Sequence, residues 1–201
     1  MGRIVKIVNR IGNIIILNII FILTSSLSLT LCFGTSWSAL HATFLDLKTD
    51  NSGYYVRNYF KHFKSNLKMT LIVDIALMLL VGAAYLNFLM IETISDSTVK
   101  LFLLAALGLI VSEILLISSF LFPVIAKFEG DLLHLLYLSF IFAHRYLYFS
   151  VLFLVLFFGG IFLTVYVSFA FIFIIFGLIA YLQCIVLKHI WKDYQYEISE
   201  I

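Results

Sequence analysis

The chain has 201 residues, is 63% hydrophobic and only 12% charged, and carries a formal net charge of +2. Soluble domains hold about 25% charged residues, so this composition argues against a water-soluble globular fold. The apolar runs far exceed the roughly 10-residue alternating strands of a transmembrane β-barrel, which leaves an all-α, polytopic transmembrane helical bundle.

The opening "MGRIVKIVNR" is basic and precedes an apolar run, the layout of a secretory signal. That run is too long and lacks a small-residue cleavage site, so it reads as a retained first segment. It extends without charge from Ile11 to Leu45, 35 residues. Further apolar runs cover Met69–Ile91, broken by Asp74, then Leu101–Ala126, containing Glu113, and Tyr146–Leu187, with no charge at all. The last is about twice the roughly 20 residues of one crossing and predicts a helical hairpin turning near Tyr166–Ser168.

Counting the first run as one span gives five spans and splits the Lys and Arg residues four against nine. Folding it into a hairpin puts twelve on one side and leaves only Lys100 opposite. The positive-inside rule favours the second arrangement. At 1.5 Å per residue the run reaches only ~52 Å, short of two ~30 Å crossings. A long helix to about Phe33, a turn at "FGTS" and a short return helix "WSALHATFLDLK" fit that length, with Lys48 snorkelling at its end. The predicted organisation is one integral membrane domain of five to six segments: a hairpin over 11–45, an interfacial helix over 54–68, a helical pair over 69–127, an amphipathic segment over 128–145 and a hairpin over 146–188. Both termini and the basic loops are predicted to be cytoplasmic.

On a helical wheel for 54–68, Arg57, Lys61, Lys64 and Lys68 fall within about 60° of one another. Val56, Phe60, Phe63 and Leu67 form a second stripe about 100° away. The pattern fits an interfacial helix with its aromatic stripe in the acyl boundary. Arg57, Phe60, Lys61, Phe63, Lys64 and Lys68 are therefore candidate contacts to membrane lipids or to a partner protein. Nucleic acid is a poor partner for so short and membrane-bound a segment. In the second amphipathic segment Leu132, Leu135, Leu136 and Ser139 share a face. Glu129 and Asp131 suit its start and Arg145 its end.

Glu113 lies near the centre of its span, where an ionisable group is costly and points to function or to a buried structural pair. Asp74, about 9 Å along the helix from Lys68, is the second candidate polar site and is placed nearer the interface. Asn18, Asn87, His41, Ser112, Ser118 and Ser119 read as interhelical hydrogen-bonding groups. Pro123 should kink the last turns of its helix, and Gly159-Gly160 suits close packing. Cys32 and Cys184 both lie in apolar runs and read as small buried hydrophobes.

Chemistry-bearing motifs are missing. No G-x-x-x-x-G-K-[ST] supports direct nucleotide binding, and no H-E-x-x-H or Cys/His cluster supports a metal site. No nucleophile elbow frames a serine. The expectation is a protein that is not an enzyme and uses no cofactor.

Two blocks carry a family resemblance. Phe60, Phe63, Lys64 and Asn66 lead into the second apolar run. Phe122, Pro123, Ala126, Phe128, Leu132, Leu133 and the His144-Arg145 pair form the later block. With the basic start and the hairpin turning at small residues, the chain resembles the YesL-like family of bacterial polytopic membrane proteins. That resemblance implies residence in the cell membrane and association with carbohydrate ABC importers, with importer permease subunits as partners. It carries no catalytic residues. Its implied function is an accessory subunit that binds and stabilises or modulates an importer of oligosaccharides or glycans. The alternative is a stand-alone small transporter or channel using Glu113. Many relatives have a proline near that histidine, where this chain has Arg145-Tyr146, which implies a softer bend there.

Overall fold

A computed structural model describes residues 3–27, 31–46 and 54–199. Lys48, and the side chains of Arg3, Lys6 and Arg10, lie outside the described residues, so the expectations placed on them concern groups the structure does not describe. The described chain is helical throughout, with no strand among its described residues. In order come α1 (Arg3–Leu27), α2 (Phe33–Leu45), α3 (Tyr55–Glu92), α4 (Ser97–Lys127), α5 (Leu132–Arg145), α6 (Leu147–Phe162) and α7 (Ile175–Ser199). Between α6 and α7 a π turn over Leu163–Val167, extended Ser168 and a 3-10 turn over Phe169–Phe173 reverse the chain.

Four helical stretches are long and apolar enough to cross a membrane: Tyr55–Glu92, Ser97–Lys127, Leu147–Val167 and Ile175–Lys192. Shorter apolar helices cover Ile11–Ser26 and Leu132–Arg145. Leu79, Leu101 and Leu109 are 70%, 70% and 72% exposed. Apolar surface on this scale has no place facing water and suits acyl chains. The protein is a helical membrane bundle.

The interfacial helix and the second apolar run are one element. Nothing between Lys68 and Met69 interrupts the backbone ladder: no Pro, no Gly, no residue that competes as a cap. The helix α3 therefore continues through 38 residues, about 57 Å. At its far end Asp96 caps α4 by accepting from the Thr98 and Val99 N–H groups at 2.8 and 3.2 Å. Lys100 bonds Glu92 across the same turn at 2.7 Å. At the other junction α4 runs through Pro123 to Lys127. The break between α5 and α6 falls at Tyr146 without a proline, with φ −114° and ψ 45°.

At the centre sits α2. Every residue from Gly34 to Leu45 is buried, enclosed by α1, α3, α4 and α7. Its composition explains the enclosure, because Gly34, Thr35, Ser36, Ser38, Ala39, Ala42 and Thr43 keep its radius small. A side chain at Gly34 would run into the Phe122 ring and the Asp74 carboxylate.

Candidate functional site

A helix enclosed on all sides leaves its terminal N–H and C=O groups without water, so other side chains must satisfy them. Cys32, at the N-cap position of α2, provides no side-chain bond. The cap comes instead from α3: the Asp74 carboxylate accepts from Gly34 N–H at 3.0 and 3.2 Å, with Thr35 N–H beside it. At the other end Lys188 Nζ of α7 donates to the Phe44 carbonyl at 3.3 Å. An anion at the positive end and a cation at the negative end both match the helix dipole.

Polar contacts continue along the α2–α3 seam. Asn66 Nδ2 donates to Ser38 Oγ at 3.0 Å, and the Thr35 and Thr70 hydroxyls meet at 2.6 Å. The buried Tyr59 hydroxyl lies 2.7 Å from that of Thr24 on α1 and 3.4 Å from the Ser36 carbonyl. Across α2, His41 reaches Gln183 of α7 at 2.8 Å. On α1, Asn18 accepts from Gly177 N–H at 2.6 Å and donates to the Ile172 carbonyl at 2.7 Å. It thereby satisfies backbone groups that the turn before α7 leaves free.

Beside the capped end of α2 lies a cavity of about 430 Å³, walled by α2, α3, α4, α6 and α7. Phe33, Trp37, Phe122, Phe153, Phe157 and Phe158 supply aromatic surface. Asp74, Ser118, Ser119 and Gln183 are the polar side chains that reach it, apart from the indole of Trp37. A mostly apolar cavity with a few convergent polar groups is the usual form of a small-molecule site. The Ser118 and Ser119 hydroxyls donate to the Leu115 and Leu116 carbonyls of their own helix, leaving their lone pairs as acceptors.

The predicted site residues separate in space. Asp74, 7% exposed, lines the cavity and caps α2. Glu113 is not part of the lining; it pairs with His144 of α5 at 2.9 Å, each side chain 41% exposed. Along α3, Arg57, Phe60, Lys61, Lys64 and Lys68 are exposed. Phe63 departs from its stripe, half-buried and stacked on Tyr59. Cys32 and Cys184 are free thiols, Cys184 buried. Sequence reasoning passed over Gln183, Lys188 and Tyr59. The amide of Gln183 inside an otherwise apolar run was the available signal. Among the described residues no group of three or more His, Cys, Asp or Glu side chains converges.

The family described as "Protein of unknown function, DUF624" matches residues 14–88 of the chain. That stretch contains most of α1, all of α2 and most of α3, including the Asp74 cap. No curated protein and no solved structure matches the chain.

Proposed function

We propose that this protein is a non-catalytic accessory subunit of the bacterial cell membrane that binds and stabilises or modulates a carbohydrate ABC importer. The resemblance to YesL-like proteins supports the reading. The observation that carries it is the outer surface of α3. One continuous helix presents exposed Arg57, Lys61, Lys64 and Lys68 at one end and exposed Ile72, Ile75 and Leu79 beyond them. Such a surface can meet anionic headgroups and the flank of a permease helix together. Affinity capture from native membranes in mild detergent, followed by mass spectrometry, should recover importer permease subunits. Recovery of this chain alone, with unchanged glycan uptake in a deletion strain, would overturn it.

The cavity favours a second reading, a stand-alone small transporter. Its natural polar group is then Asp74, which lines the cavity, whereas Glu113 does not. Under that reading reconstituted flux falls on Asp74→Asn and is indifferent to Glu113→Gln.

A further inference from the structure

Apart from the Trp37 indole N–H, the polar lining of the cavity is chemically one-sided. His41 Nδ1 faces the Trp37 carbonyl at 2.9 Å, and a carbonyl can only accept, so Nδ1 carries the proton. The neutral ring then offers a lone pair at Nε2. The Gln183 terminal atom 2.8 Å away must be the amide NH2, the orientation in which the side-chain oxygen and nitrogen exchange places. An imidazolium enclosed here, with no carboxylate partner among the described residues, would be costly.

That assignment turns the Gln183 carbonyl toward the cavity the residue lines. Gln183 is 3% exposed, and no other hydrogen bond to its side chain is present among the described residues. The cavity therefore presents a carboxylate, an amide carbonyl and two serine lone-pair donors. These four groups are acceptors, the Trp37 indole N–H is the donor beside them, and no Lys, Arg or His contributes to the lining. Asp74 keeps acceptor capacity after bonding Gly34 and Thr35, because a carboxylate has about four lone-pair sites. No cation pairs with it among the described residues. The α2 dipole offsets only about half a charge.

We propose that this cavity is a binding site for a lipophilic organic cation, a protonated primary amine on an aromatic or alkyl body. The ammonium group sits against Asp74 and the Gln183 carbonyl, and the six aromatic side chains receive its body and add cation–π attraction. An anion would meet the Asp74 charge at the helix end it already occupies. A sugar would leave most of its hydroxyls against phenyl rings. Met78, Val81 and Phe158 line the cavity and are also 44%, 65% and 50% exposed on the outer surface of the bundle. An amphiphile dissolved in the acyl layer therefore meets the site from the side.

The test uses the full chain in phosphatidylcholine nanodiscs and calorimetric titration with three ligands of one body: phenylbutylamine, phenylbutanol and phenylbutyrate. The amine should bind saturably at one site, at least about tenfold tighter than the alcohol, with the acid weakest. Asp74→Asn retains an acceptor for Gly34 N–H and should erase the difference between amine and alcohol. Ser118→Phe fills the cavity with the cap untouched. It should abolish amine binding while leaving the thermal unfolding of the ligand-free protein close to that of the parent. Equal binding of amine and alcohol by the parent protein, marking simple partition, would overturn the proposal. So would an unchanged amine preference in Asp74→Asn, or retained amine binding in Ser118→Phe.

Discussion

Asp74 caps the head of α2 and lines the cavity beside it. As an acceptor it satisfies the buried end of α2, and as a charge it polarises the cavity beside that end. The two can be separated by substitution. Asp74→Ala removes the acceptor and leaves enclosed N–H groups without a partner, at a cost of about 1–3 kcal/mol. Asp74→Asn keeps an acceptor and should lose far less. Denaturation in a single detergent, comparing both variants with the parent, checks the order. Lys188→Met tests the opposite end of α2 and should cost about 0.3–1 kcal/mol, the scale of a helix-dipole contact. A loss from Asp74→Asn as large as that from Asp74→Ala would show that charge, not the hydrogen bond, holds the helix end.

Between residues and elements, continuity and radius decide the arrangement. The helix α3 persists across Lys68 because no residue there interrupts it, and its first turns thereby become a lever fixed to the spanning part. Lys68→Pro removes an N–H and clashes with the preceding turn, at about 3 kcal/mol or more. Loss of helical circular dichroism and a lowered unfolding temperature should report it. The small radius of α2 is a second element-level property. Gly34→Leu would push its side chain into Phe122 and Asp74, separating α2 from its cap. It should destabilise at least as much as Asp74→Ala in the same detergent assay, and a neutral outcome would contradict the close approach.

At the scale of the molecule, composition made the helical membrane class legible, because long charge-free runs leave few other solutions. The buried character of α2 was much harder to read. Thr35, Ser36, Ser38, His41 and Thr43 are polar enough to pass for a surface or a loop. Thr70, Asn66 and Gln183, the partners of Thr35, Ser38 and His41, are brought to them only by tertiary packing. For the same reason the role of Asp74 as the cap of α2 was hidden, because its partner Gly34 lies 40 positions away in the chain. The orientation that the charge distribution predicts has its own test. With Cys32 and Cys184 replaced, single cysteines at exposed Ser65 and Ser95 should label from opposite sides, Ser65 from the cytoplasm.

The arrangement everything else depends on is α2 folded against the middle of α3, with the cap and cavity at its head. Oxidative cross-linking of Thr35→Cys with Thr70→Cys in native membranes measures it directly, since the two hydroxyls stand 2.6 Å apart. With a protease site introduced into the 47–53 segment, the two fragments should stay joined after cleavage until a reductant is added, whereas a Thr35→Cys/Ser95→Cys control should fall apart. Fragments that separate equally in both pairs would contradict a buried, capped α2.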